Sequence, residues 1–162
     1  MSGGRSDSRE EAGRVQHRVT IDWERETPDF AYDTYNRDHH WSFDAGVTIR
    51  ASATPAYRGS ESCVDPEEAF VASLSSCHML TFLAVAARKR YVVDDYHDEA
   101  VGVLEKDAQG RLAITRATLR PRVTFGGQKT PTPEDLRHLH EQAHHGCFIA
   151  NSVKTEVVVE PR

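Results

Sequence analysis

The 162-residue sequence predicts an α+β domain in which helices pack on a mostly antiparallel sheet. Short segments with alternating apolar residues occupy the first third of the chain. Two later segments begin with helix-capping residues, and strand-like runs lie between and after them. The predicted order is β-β-β-α-β-β-α-β, with a long central helix. Residues 1–16 are polar and charged, which predicts a flexible tail before a single domain at 17–162.

The first part of the domain should contain three strands, because apolar and polar residues alternate there. Residues 26–29 carry turn-forming side chains, so we expect a hairpin between the first two strands. Arg37 then lies in the tight connection before the third. The predicted strands are residues 17–24, 30–36 and 40–51.

Residue Asp65 marks the start of the long helix. Its carboxylate can accept hydrogen bonds from free backbone amides, Pro66 suits the first helical position, and acidic residues follow in the first turn. An apolar stripe at helical spacing continues to about Lys89 and places Cys77 near mid-helix. The remaining predicted elements are strands at 96–106 and 112–125 joined by a hairpin loop at 107–110, a capped helix from Thr132 to about His145, and a last strand at 152–160.

Composition narrows the classes of function. The net charge of −5 provides no basic surface for nucleic acid, so none is expected as a partner. The sequence shows no apolar run long enough to cross a bilayer and no signal peptide, so we expect a cytoplasmic protein that does not bind membranes.

Three cysteines, Cys63, Cys77 and Cys147, are present. An odd number of cysteines in a protein expected in the cytoplasm argues against a secreted disulfide framework. The sequence also contains no C-x-x-C pair. Catalysis, metal binding and simple burial remain open. Cys77 fits a core position, whereas Cys147 follows a helix and the flexible Gly146, where a thiol can be exposed.

The sequence around these cysteines resembles the paired motifs of OsmC/Ohr proteins, the osmotically inducible and organic hydroperoxide resistance proteins. The matching segments are Asp-Pro-Glu-Glu at 65–68, Ser-Ser-Cys-His-Met at 75–79, and Ala-His-His-Gly-Cys-Phe-Ile-Ala-Asn at 143–151. The second cysteine follows the first by 70 positions, as in that family. The resemblance covers residues 17–160 and implies an OsmC-like fold and an intertwined homodimer.

The resemblance implies roles for four residues. Cys77 is expected to attack the peroxide and Cys147 to resolve the oxidised thiol. A thiol attacks as its thiolate and needs a nearby cation, which Arg37 is expected to supply while Glu67 holds the guanidinium. Arg18 and Arg25 are alternatives to Arg37.

The implied activity is a cysteine-based peroxidase that reduces organic hydroperoxides to alcohols. Cys77 would become a sulfenic acid and then a disulfide with Cys147. An external dithiol, which the resemblance suggests is carried by a lipoyl-bearing protein, would reduce that disulfide. No cofactor or metal is expected.

Several residues depart from the family pattern. Phe148 stands where Ohr proteins carry proline, and His78 follows the first cysteine. Cys63 has no assigned partner. One alternative function is metal binding, since His140 and His144 have a helical i, i+4 spacing within a group of four histidines at 138–145. Another is a non-catalytic small-molecule-binding or stress protein of the same fold.

Overall fold

A computed structural model describes residues 14–162. The chain forms two compact units, which divide after Cys63. The described part of the first unit begins at residue 14. Most of the predicted tail lies outside the described residues, and the single domain at 17–162 stays a prediction.

The first unit contains a three-stranded antiparallel sheet. Its strands are β1 (Val19–Asp22), β2 (His39–Phe43) and β3 (Thr48–Ala51), in that spatial order, and a short 3₁₀ helix follows at Pro55–Tyr57. The strand predicted at 17–24 is confirmed. The strand predicted at 40–51 is in fact two strands, because Gly46, with φ of 79°, allows a tight turn between them.

The strand predicted at 30–36 is wrong. The chain turns there, and the Tyr35 amide donates to the Ala31 carbonyl at 3.0 Å. Three aromatic rings, Trp23, Phe30 and Tyr35, pack on one another with centroids 5.1 to 6.4 Å apart. The alternating aromatic residues therefore form a local cluster instead of one face of a strand. The predicted hairpin is also wrong, since β1 pairs with β2.

The second unit begins with the long helix α1 (Pro66–Arg88). The Asp65 carboxylate accepts from the Glu68 amide at 2.8 Å, and the Glu68 carboxylate accepts from the Asp65 amide at 3.2 Å. This capping box confirms the predicted start of the helix, and its end lies within one residue of the predicted one.

Helix α1 is apolar around most of its circumference rather than along one stripe. Within residues 14–162, it is the one helix long and apolar enough to cross a membrane by length and composition, with a mean hydropathy of 1.7. The expectation that no apolar run reaches that length is therefore wrong. Ser, Thr and His residues interrupt the run, but the helix stays apolar enough on average to reach that hydropathy.

Four strands follow α1, where two long ones were expected. They form the pair β4–β7 and, with the last strand, the sheet β5-β6-β8, in which β8 runs parallel to β6. The predicted second long strand is divided at Arg120 because Pro121 has no amide with which to continue the β6 ladder. The elements are β4 (Val92–Asp98), β5 (Val101–Lys106), β6 (Leu112–Leu119), β7 (Pro121–Gly126), α2 (Pro133–Gly146), a 3₁₀ helix at Ala150–Ser152, and β8 (Glu156–Val159).

The second helix, α2, is confirmed with the Thr132 cap that the sequence predicts. It packs against α1, and the core of the unit lies between them, where Phe82 and Ala86 of α1 meet Leu139 and Ala143 of α2. The chain thus has the predicted α+β class, with a long central helix and a second helix. The crossing of these helices positions the cysteines.

Candidate active site

The thiols of Cys77 and Cys147 are neighbours, and Cys77 contributes to raising the pKa of the Cys147 thiol. Cys77 is half-buried in the middle of α1, whereas Cys147 follows the last residue of α2 and is 1% exposed. Both thiols are free. The structure therefore brings together the two cysteines that the sequence motifs predict.

Gly146 allows this close approach of the two helices. A Cβ atom at Gly146 would lie 3.1 Å from Cγ2 of Thr81, which is tighter than an ordinary contact. Thr81 is one turn beyond Cys77, and its hydroxyl donates to the Cys77 carbonyl at 2.9 Å. The end of α2 can thus reach α1 beside the first thiol because residue 146 has no side chain.

The backbone after α2 fixes the Cys147 thiol. The Ala150 amide donates to Cys147 Sγ at 3.4 Å, and the Asn151 side chain donates to the His145 carbonyl at 3.1 Å. Burial raises the pKa of the Cys147 thiol, as does the neighbouring Cys77, although the Ala150 amide acts in the opposite direction. Cys147 is therefore held in its protonated form. Phe148, beside it, is 81% exposed.

Glu67 does not lie beside the thiols of its own chain. It is in the first turn of α1, ten residues before Cys77, which corresponds to about 15 Å along the helix axis. Helical side chains also tilt towards the N-terminus, which directs Glu67 away from Cys77. Instead, Glu67 lines a cavity of about 900 Å³ with Phe70 and the β5–β6 hairpin.

Arg37 belongs to the first unit, where its guanidinium contacts backbone carbonyls and an aromatic ring. It donates to the carbonyls of Tyr32 and Tyr35 and lies 3.7 Å from the centre of the Tyr35 ring. Its two alternatives have other local partners. Arg18 donates to a glutamine side chain two residues before it, and Arg25 donates to carbonyls two and three residues after it.

A buried pair of imidazoles next to the thiols was not predicted. His78 Nε2 and His140 Nδ1 are 3.1 Å apart, and the rings are nearly parallel, with their centres 5.4 Å apart. Phe82 stacks on His140 at 4.4 Å. Burial lowers the pKa of both histidines to about 4. One sequence feature could have predicted that His140 is buried, because this residue lies on the apolar stripe of α2.

The described residues do not support the metal-binding alternative. Within residues 14–162, no group of three or more His, Cys, Asp or Glu side chains is arranged to hold a metal ion. His138 and His145 are exposed, and His138 instead contacts the Glu141 carboxylate at 3.1 Å. Cys63, the last residue of the first unit, is half-buried and free.

Known proteins share this fold. A family model described as OsmC-like protein matches residues 59–162. An OsmC-like protein of unknown function from Vibrio cholerae is 47% identical, with a TM-score of 0.89 over 92% of this chain and 100% of its own. A comparison with curated proteins gave no match.

Two more distant structures share the fold at lower identity. The organic hydroperoxide resistance protein OhrB of Bacillus subtilis is 21% identical, with a TM-score of 0.66 over 91% of this chain and 98% of its own. An organic hydroperoxide resistance protein from Elizabethkingia anophelis is 16% identical, with a TM-score of 0.69 over 93% and 96%. At these identities the likeness concerns the fold alone.

Proposed function

The chain belongs to the OsmC-like protein family, and we propose that it is a thiol-dependent peroxidase that reduces organic hydroperoxides to alcohols. The observation that carries the proposal is that the Cys77 and Cys147 thiols are neighbours where α1 and the end of α2 meet. Two neighbouring free thiols can alternate between dithiol and disulfide once their sulfur atoms are brought to bonding distance. The names of the hydroperoxide resistance proteins that share the fold suggest the substrate.

The proposed cycle has three steps. The Cys77 thiolate attacks the O–O bond, the alcohol leaves after taking up a proton, and a sulfenic acid forms on Cys77. The Cys147 thiol then attacks that sulfur, water leaves, and a disulfide joins the two residues. Finally, an external dithiol, for which a lipoyl-bearing protein is the proposed source, reduces the disulfide and is itself oxidised.

The environments of the two thiols support this assignment of roles. Cys147 is buried with its pKa raised, so it is poorly placed for the first attack on an incoming hydroperoxide, which needs an accessible thiolate. Cys77 is more exposed and is the thiol that a hydroperoxide can approach. In the proposal Arg37 stabilises the thiolate and the leaving oxygen, since a guanidinium stays charged and donates several hydrogen bonds.

We propose that the active form is a homodimer in the cytoplasm. A helix that is apolar on all sides is normally buried. In α1, however, only 22% of the 18-residue apolar stretch is buried, and Leu80 is 60% exposed. A second copy would cover this surface. It would also resolve the position of Glu67, because the carboxylate of one chain could hold an arginine beside Cys77 of the other.

The direct test is steady-state reduction of cumene hydroperoxide and of hydrogen peroxide, with dihydrolipoamide or a thioredoxin system as the reductant. The wild type should consume the organic peroxide faster and form one intramolecular disulfide. Cys77→Ser should lose all turnover, whereas Cys63→Ser, the matched control, should keep it. If the wild type retains all three free thiols while cumene hydroperoxide persists, the peroxidase proposal fails.

The shared site is tested by co-expression of Glu67→Gln and Cys77→Ser chains with different tags. If Glu67 of one chain serves Cys77 of the other, the purified mixed dimer has one intact site and recovers activity that neither parent has. An inactive mixed dimer would contradict a site in which Glu67 of one chain serves Cys77 of the other. A monomer in sedimentation would contradict the dimer itself.

A further inference from the structure

Arg37 is held at its backbone as well as at its side chain. The guanidinium donates to the carbonyls of Tyr32 and Tyr35 and lies over the Tyr35 ring. The carbonyl of Arg37 contacts Nδ1 of His39 at 2.8 Å, and Nε2 of His39 contacts Nε1 of Trp41 at 2.8 Å. His39 and Trp41 lie on one face of β2, with their ring centres 6.0 Å apart. The proposed cycle assigns no role to either residue.

The contact with Trp41 determines which nitrogen of His39 carries the proton. An indole N–H can only donate a hydrogen bond, so Nε2 of His39 must accept and is unprotonated. The proton of the neutral ring is therefore on Nδ1, which donates it to the Arg37 carbonyl. A doubly protonated imidazole would lose the bond to Trp41, because both of its nitrogens would then be donors. The two hydrogen bonds thus form one chain that joins β2 to Arg37.

The residue before Arg37 is held from the other side, by the segment that follows β1. The Asn36 side chain donates to the Glu24 carbonyl at 2.8 Å and accepts from the Glu26 amide at 2.9 Å. The Asn36 carbonyl accepts from Nε1 of Trp23 at 2.8 Å. Residues 36–38 have no regular secondary structure, so these side-chain contacts replace the backbone ladder that would otherwise fix the chain there.

A solvated turn residue does not need this degree of restraint. An arginine side chain loses rotamer entropy when it is held in one conformation. Within the described part of the first unit, residues 14–63, no carboxylate pairs with Arg37 to offset that loss. The two carbonyl bonds use two of the five N–H donors of the guanidinium, so three donors and the charge can act on another group. A cation that is already oriented stabilises developing negative charge without having to reorganise.

We infer that His39 is a positioning residue for Arg37 in the proposed peroxidase reaction, and that Trp41 sets the tautomer that this role needs. The inference rests on the proposed function, in which Arg37 stabilises the Cys77 thiolate and the leaving oxygen. Nδ1–H of His39 holds the Arg37 backbone while the two carbonyl contacts hold its side chain, so the guanidinium keeps one orientation. His39 acts through Arg37 and transfers no proton in the cycle.

The main test compares kcat/KM for cumene hydroperoxide among variants of the full chain. His39→Leu removes both nitrogens and should lower kcat/KM by about tenfold, because small displacements of a group that acts on the transition state are costly. His39→Asn keeps a side-chain N–H near the position of Nδ1 and should recover most of the loss. Trp41→Phe keeps an aromatic ring but leaves the tautomer unfixed, so it should cause a smaller loss. His40→Gln, at the exposed next position of β2, is the control and should match the wild type.

A double-mutant cycle separates positioning from general support of the fold. If His39 acts through Arg37, adding His39→Leu to the Arg37→Ala variant should cause no further loss of kcat/KM. Equal losses in both backgrounds would overturn the inference. Loss of activity in Arg37→Ala but not in His39→Leu would refute the positioning role alone and leave the proposed peroxidase function standing. Wild-type activity in Arg37→Ala would remove Arg37 from the mechanism, and the role of His39 with it.

Nitrogen-15 NMR of the wild-type imidazoles tests the arrangement without relying on the folding of any variant. At neutral pH, His39 should be protonated at Nδ1 and unprotonated at Nε2. Trp41→Phe should weaken this preference, since the ring then has no donor facing Nε2. A wild-type ring protonated at Nε2 would contradict the hydrogen-bond chain and the inference, whatever the activity assays show.

Discussion

Two neighbouring contacts between α1 and α2 differ in what they can do. In the thiol contact, Cys77 meets Cys147 at the end of α2; in the imidazole contact, His78 meets His140 within α2. Cys77 and His78 are adjacent in sequence, but they point about 100° apart around the helix. Cys77 is half-buried, and His78 is 1% exposed. One turn of α1 thus presents an accessible thiol on one side and a buried imidazole on the other.

The difference follows from the position of each partner on α2. Cys147 comes after the last helical residue, next to a glycine, so the backbone there can adapt when a disulfide forms. His140 lies within the helix and packs against Phe82, so it can move little without disturbing the core. We therefore expect chemistry at the thiol contact and a contribution to stability at the imidazole contact.

The largest expected effect is on turnover at the thiol contact. Cys147→Ser removes the resolving thiol but leaves the attack by Cys77 intact. It should lower steady-state peroxidase activity by at least about a hundredfold, because the internal thiol acts at a high effective concentration. Dimedone labelling should trap a sulfenic acid on Cys77, and full activity with no labelling would show that Cys147 is not the resolver.

The second effect is on stability at the imidazole contact. Phe82 is fully buried and stacks on His140, so Phe82→Ala should lower the free energy of unfolding by about 3–5 kcal/mol. Urea unfolding measures the change. Arg88→Ala, on an exposed position of the same helix, is the control and should change it by less than about 0.5 kcal/mol. Similar values for both would contradict the assignment of this contact to the core.

The third effect is a dependence of stability on pH. The pKa of His78 and of His140 is lowered to about 4, mainly by burial; His140 and His144 lower that of His78 further, and Asp98 opposes this. An unfolded histidine titrates near 6.5, so stability should be complete above that pH and fall as the pH drops towards 4. One such shift corresponds to about 3 kcal/mol.

The pH effect is measured by urea unfolding between pH 7.5 and 4. His140→Phe should show a clearly shallower loss of stability with acid than the wild type, whereas His138→Phe should keep the wild-type slope. An unchanged slope in His140→Phe would mean that other groups cause the acid sensitivity.

The smallest effect concerns the fit of the helices at the thiol contact. Gly146→Ala would place a methyl group 3.1 Å from Thr81 Cγ2, so the helices must separate slightly. We expect disulfide formation after peroxide treatment to slow by about tenfold, since small displacements of reacting groups are costly. Thr81→Ser removes the opposing methyl and keeps the hydroxyl, so adding it to the Gly146→Ala variant should restore the rate. A failure of this rescue would contradict the steric explanation.

Local hydrogen bonding explains which parts of the fold could be predicted. The starts of both helices depend on capping boxes that join residues three positions apart, at Asp65–Glu68 and Thr132–Asp135. The β5–β6 hairpin depends on the Asp107 side chain, which accepts from the amides of Gln109 and Arg111. Such contacts form within a few residues and leave a clear sequence signal.

Local sequence patterns were therefore enough to predict the two helices, the hairpin loop and the two cysteine motifs. Only the folded structure shows that residues 30–36 turn back into an aromatic cluster, that the Cys77 and Cys147 thiols are neighbours, and that His78 pairs with His140. The last two contacts join residues more than 60 positions apart. They arise because Gly146 allows α2 to pack closely on α1, and no local pattern specifies that distance.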